Sequence, residues 1–160
     1  MTKIEDLPLY AIREFMIESL KGNSEFDTFL SGLGVSPMKY YEDSNSNEVI
    51  QEDSYFISYG ITNIDDGTTQ IEKTAGFIVG ITGDIDQENV NEVYKFTAQK
   101  TVEQIAYKAL EIIRCAIRDF GINNVRNLLV VSNGVMLDER NGQQDYAATV
   151  SITIMQNKTL

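Results

Sequence analysis

Residues Tyr146 to Gln156 read Tyr-Ala-Ala-Thr-Val-Ser-Ile-Thr-Ile-Met-Gln. In an extended chain successive side chains point to opposite faces, so Val150, Ile152 and Ile154 share one face while Thr149, Ser151 and Thr153 share the other. That alternation predicts a strand with one dry and one wet face, the pattern of an antiparallel sheet covered on one side. Just upstream, Asn141-Gly142 is the dipeptide favoured in a type I′ turn, whose two central residues both need positive φ. Val135 to Arg140 leads into it as the other arm of a hairpin. An unbroken arm from Gln143 to Gln156 would span on the order of 45 Å at about 3.3 Å per residue. This is long for a small domain, and the expectation is a C-terminal β-hairpin that projects or pairs with another chain.

The cover for such a sheet lies before it. From about Thr97 to Asp119, Val102, Ala106, Ala109, Ile113, Ala116/Ile117 and Phe120 keep the three-and-four spacing of one helix face, widened by Ile105 and Ile112. Alanines in that stripe predict a close approach to the sheet, and Gly121 marks the end. Thr101 and Gln104 have the spacing of a capping box for a later start. Cys115 is read as a small hydrophobe at the edge of the stripe. Val125 to Ser132 reads as a buried strand, with a bend at Asn133-Gly134.

The first half supplies the remaining elements. Asp6 as cap, Pro8 in the first turn and Gly22 past the end predict a helix over 7–21. Its apolar face is wide: Leu9, Ile12, Phe15/Met16 and Leu20 form one stripe, and Tyr10 with Ile17 a second. Short helical turns follow from Ser24, ended by Gly32 or Gly34, and then an extended 37–41. Alternation from Tyr55 to Ile61 and from Phe77 to Ile81, separated by the turn chemistry of 63–69, predicts a second hairpin. Gly76 and Gly80 are read as admitting a close neighbouring backbone. Residues 90–96 fit either a short strand or the first turns of the long helix. Together these elements predict one α+β domain over 1–160: a mostly antiparallel sheet with the long helix on one face, an N-terminal helix and the projecting hairpin, with acidic loops at 42–54 and 83–92.

Composition narrows the chemistry. The chain has 160 residues, 42% hydrophobic and 23% charged, ordinary for a globular domain. Without His there is no Ser-His-Asp triad and no imidazole ligand, and one Cys excludes an internal disulfide or a CxxC motif. No cofactor is expected. No apolar run reaches signal-peptide or membrane-span length, so a protein made in the cytoplasm and free of membranes is expected. The net charge of -11 makes a sequence-reading nucleic-acid binder a poor fit.

That charge is not spread evenly. Residues 1–41 carry 4 bases and 6 acids, 42–92 carry 1 and 12, and 93–160 carry 8 and 6. The whole excess therefore sits in one stretch whose only base is Lys73. Such a stretch is either a set of solvated loops or an acidic wall facing something that must not stick. Asp84, Asp86 and Glu88 alternate like the start of a calcium loop, but Asn89 and Lys95 stand where Gly and a bidentate Glu are needed. Asp65/Asp66 and Asp138/Glu139 are adjacent acids of the kind that general acid-base catalysis uses, though turns and sheet rims also place such acids. The aromatic run of Tyr40, Tyr41, Tyr55, Phe56 and Tyr59 is read as core or subunit contact, since its surroundings are acidic.

The segment Gly134-Val-Met-Leu-Asp-Glu-Arg-Asn-Gly142, then Gln-Gln-Asp-Tyr146 and the alternating Ala147 to Met155, resembles the C-terminal part of tail completion (tail terminator) proteins of long-tailed bacteriophages. The order of elements is similar over most of the chain, while the acidic residues from Gly83 to Glu92 depart from the family pattern. The resemblance implies a non-catalytic virion protein. It would form a homo-oligomeric ring, usually of six, at the head-tail junction, in contact with neighbouring connector and tail proteins. Inward-facing acids, with Asp65, Asp66, Glu72, Asp84, Asp86 and Glu88 as candidates, would let DNA pass without adhering. Contacts between copies would come from Tyr10, Ile17, Ile105, Ile112, Leu137, Asp138, Arg140 and Tyr146. The alternatives, in order, are another ring of the connector or neck with up to twelve copies, an acidic adaptor that occupies a basic protein, and a carboxylate-dependent enzyme.

Overall fold

The computed structural model describes residues 3–35, 38–42, 54–83, 87–119, 125–138 and 143–158. In chain order the elements are a 3-10 turn at Ile4–Asp6, α1 (Leu9–Leu20), α2 (Ser24–Gly32), β1 (Lys39–Glu42), β2 (Phe56–Asp66), β3 (Gln70–Gly83), β4 (Gln87–Val90), β5 (Val93–Phe96), α3 (Thr97–Asp119), β6 (Val125–Asp138) and β7 (Gln143–Asn157). Five strands form one sheet in the order β1-β2-β3-β7-β6, and β4 with β5 makes a separate ribbon. Among the described strands only the β1 pairing is parallel. The domain is α+β.

The alternation from Thr149 to Ile154 does what its period requires. Tyr146, Ala148, Val150, Ile152 and Ile154 are all buried, and register places them beside Val79, Phe77, Ala75 and Ile57 on one face. That face joins the apolar sides of α1, α2 and α3 in a single core. At about 25 cal/mol per Å² of apolar surface removed from water, each fully buried Ile or Phe contributes about 1.5–3 kcal/mol. The opposite face carries Thr74, Ile78, Thr149 and Ser151, half-buried, and Phe56 on that side stands outside the core cluster.

The last hairpin does not project. β7 pairs with β3 from Gln70/Asn157 to Gly83/Gln144 and with β6 from Val125/Ile154 to Asp138/Gln143, so both of its edges are hydrogen-bonded. A long strand with neighbours on both sides needs no second chain; its length matches β3 and β6 rather than exceeding the domain. The bend at Asn133-Gly134 is a bulge, where the β6 register shifts between Ser132 and Gly134 and the strand continues. Gly76 admits its neighbour as expected: a Cβ there would lie 2.5 Å from the Val150 carbonyl oxygen.

The wide face of α1 meets two neighbours within its own chain, the β2–β3 part of the sheet and α3. Consequently four residues expected between copies are spent on the core. Ile17, Ile105, Ile112 and Tyr146 are no more than 6% exposed, leaving them no surface to offer. Tyr10, in the first turn of α1, remains 59% exposed.

The start of α1 differs from expectation, while that of α3 is the expected one and leaves the later capping box unused. Asp6 is taken up by the 3-10 turn, and Pro8 stands at the cap of α1, its carbonyl accepting from Ala11 and Ile12. α3 begins at Thr97, so Thr101 lies inside it and its hydroxyl donates back to the Thr97 carbonyl instead of capping. The end of α1 is as expected, with Gly22 at φ +77°. Cys115 is exposed rather than tucked at the stripe's edge. Gly121 and Phe120 lie outside the described residues. No described helix is long and apolar enough to cross a membrane.

Candidate functional site

The antiparallel register of β2 and β3 decides what the acids at their shared end can do. Asp65 is directly opposite Glu72, and Asp66 is opposite Ile71. Because strand period is two, Asp65 and Asp66 point to opposite faces, which removes them as a side-by-side catalytic pair. Glu72 alternates with Lys73, and Lys73 is on the core side with Ala75, Phe77 and Val79. Asp65 and Glu72 therefore share the face that no described helix covers. Like charges directly opposite are destabilising, so local packing does not favour this arrangement.

Lys73 sharpens the field. It is 8% exposed, and its Nζ donates to the backbone carbonyls of Glu5 at 2.8 Å and Leu7 at 3.0 Å. The sole base of the acidic stretch thus ties the N-terminal turn to β3 and is withdrawn from the surface. Asp66, on the other side, is answered by Lys158 at 2.5 Å. The opposed acids at this end are Asp65, which is exposed, and Glu72, which is half-buried.

Glu88 lies elsewhere. It sits on β4, directly opposite Lys95 on β5. Glu72 and Gly83 are eleven residues apart on β3, on the order of 36 Å of strand, and the ribbon comes after Gly83. One protomer cannot gather Glu88 into the same cluster as Asp65 and Glu72. Asp84 and Asp86 lie outside the described residues. Residues 87–90 and 93–96 are strands joined by a turn at Asn91–Glu92, and this ribbon replaces the acidic loop expected over 83–92 in its described part and the loop that a calcium site would need.

The ribbon is the element that stands apart. Its substantial contacts are between its own two strands, and its turn residues Asn91 and Glu92 both have positive φ, 53° and 65°. Val93 and Tyr94 are 54% and 62% exposed. Between the ribbon and the start of α3 runs a cleft of about 550 Å³ lined by Glu88, Val90, Lys95, Phe96, Lys100 and Glu103, among others.

Gln99 locks α3 to the sheet at the β6 bulge. Its Nε2 donates to the Ala147 carbonyl at 3.0 Å, and the Ala147 N–H donates to its Oε1 at 3.1 Å, so one side-chain amide answers both polar groups of a strand residue. A glutamine one turn before Val102 on the buried stripe is the sequence signal of this contact. The aromatic run is largely internal: Tyr40, Tyr55 and Tyr59 pack on the core, and Tyr41 meets Phe56 edge-on at 6.2 Å. Burial, reinforced by the charge of Asp27, pushes the Tyr40 phenol up to about 12. Leu137 and Asp138 end β6, opposite Gln144 and Gln143. Arg140 and Glu139 lie outside the described residues.

The chain matches no family model and no curated protein.

Proposed function

We propose that this protein is a non-catalytic structural subunit that closes into a homo-oligomeric ring at the head-tail junction of a long-tailed bacteriophage, its uncovered sheet face turned toward the passage for DNA. The observation that carries this reading is the pairing of Asp65 with Glu72 on that face while Lys73, their only basic neighbour in sequence, is turned into the core. Fixed negative charge offers a phosphate backbone no counterions to release, so DNA slides past without adhering. The lining is narrower than the charge count alone implies, because Asp66 is paired with Lys158 and Glu88 belongs to the ribbon. The resemblance in the Gly134–Gly142 hairpin and the order of elements supports the same reading.

Light scattering on the purified chain, with particle counting in electron micrographs, tests it. A single closed stoichiometry supports the proposal, with six copies favouring the tail-completion position and twelve the neighbouring connector ring. A strict monomer at high concentration that no partner induces to assemble counts against it.

A further inference from the structure

We infer that the corner where the end of α1, α2 and β1 meet is a seat for a lysine side chain presented by a partner protein. This goes beyond the assembly proposed above and does not depend on it.

A pocket of about 360 Å³ opens at this corner, room enough for one long side chain. Its apolar walls are Leu30 and Val35, each 4% exposed, and the half-buried Met38. Its polar walls are Asp27 and Ser31 on α2, both exposed, and the half-buried Tyr40 on β1. Among the described residues, neither the Asp27 carboxylate nor the hydroxyls of Ser31 and Tyr40 have a hydrogen-bond partner. Burial, and then the charge of Asp27, raises the Tyr40 phenol to about 12, so it stays a neutral hydroxyl beside that charge at ordinary pH.

The electrostatics of the corner favour a cation. Gly22 follows the end of α1, and Leu30 and Ser31 stand in the last turn of α2, so the negative ends of two helix dipoles come together here. Neither last turn carries a basic residue. Lys21, at the cap of α1, is exposed and is not among the walls. Three side-chain oxygens equal in number the three donors of an ammonium group, while Leu30, Val35 and Met38 offer apolar cover for the four-carbon stem that a lysine buries behind its charge.

Titration of the protein with the blocked peptide Ala-Lys-Ala, followed by NMR at the methyl groups of Leu30, Val35 and Met38, tests this. Saturable shifts with a dissociation constant on the order of millimolar are expected. The peptide with norleucine in place of lysine has the same stem without the charge and should give no saturable shift. Asp27→Asn should weaken the lysine peptide roughly tenfold or more and Tyr40→Phe roughly threefold, each in a protein whose amide spectrum stays folded. Added salt should weaken it as well. If Asp27→Asn disturbs α2, Tyr40→Phe and the norleucine peptide carry the decision. No saturable shift, equal shifts from the norleucine peptide, or a lysine affinity that neither substitution moves would overturn the site. Tighter binding of Ala-Arg-Ala would overturn the choice of an ammonium group. Binding of butylammonium while the lysine peptide stays excluded would overturn the protein partner in favour of a free amine.

Discussion

Asp65 and Glu72 face each other across the β2–β3 pair, two carboxylates on neighbouring strands at the end of the sheet where the chain turns. Directly opposed like charges cost the fold a few tenths of a kcal/mol or more. Asp65→Asn should therefore stabilise the monomer by roughly 0.2–1 kcal/mol at low ionic strength, and the gain should shrink as salt screens the pair. Urea unfolding at two salt concentrations measures both effects. The double reversal Asp65→Lys with Glu72→Lys should make assembled particles retain duplex DNA in a filter-binding assay at low salt, where the wild type retains none.

Lys73 is held by two backbone carbonyls, and a methionine of similar length cannot replace those hydrogen bonds. Lys73→Met should cost about 1–3 kcal/mol, since it leaves the Glu5 and Leu7 carbonyls without their donor in a buried place. Thermal unfolding reports the loss, and faster proteolysis ahead of α1 would locate it at the N-terminal turn.

Gln99 makes a similar prediction at the other end of the core. Gln99→Ala removes the partner of both the Ala147 N–H and its carbonyl, and should destabilise by about 1–3 kcal/mol. The Ala147 amide should exchange with solvent deuterium faster, while amides near Ile152 change only as global stability does. Equal effects at both sites would mean that Gln99 acts merely as filler.

These two side chains show where the sequence was legible and where it was not. The period-two pattern of β7, the stripe of α3 and the left-handed Gly22 are local signals, and each lay in its predicted element because burial and φ are set within a few residues. The role of Lys73 depends on two carbonyls 66 and 68 positions away, and that of Gln99 on a strand residue 48 positions away. No spacing rule reaches that far. The same limit explains Ile17, Ile105, Ile112 and Tyr146: a wide apolar face announces two neighbours without saying whether they belong to the same chain. The acidic stretch was visible as a sum, but its division into a sheet-end pair and a ribbon needed the register. The ribbon itself was hidden because 90–96 satisfies both periods.

Tyr40 supplies a test in pH. Its phenol is raised from 10.0 to about 12, first by burial and then by Asp27. The folded state thus holds a proton that the unfolded state has already released, so stability is unaffected below about pH 10 and falls as pH rises from there toward 12. Tyr40→Phe should flatten that part of the stability curve. Ultraviolet titration of the native protein should show one phenol ionising later than the exposed ones.

Glu92 holds φ 65° in a turn that glycine enters without strain. Glu92→Gly should stabilise the ribbon by about 1 kcal/mol, the cost of a left-handed non-glycine residue. Sharper ribbon NMR signals and slower exchange of the Val90 and Val93 amides would register it.

The position of Asp65 and Glu72 in the ring is read most directly from the structure of the assembled particle by electron cryomicroscopy. The expected result is a closed ring whose bore is lined by the uncovered sheet face, with Asp65 and Glu72 of every copy directed inward. A ring that carries these two residues on its outer rim around a neutral or basic bore would contradict it.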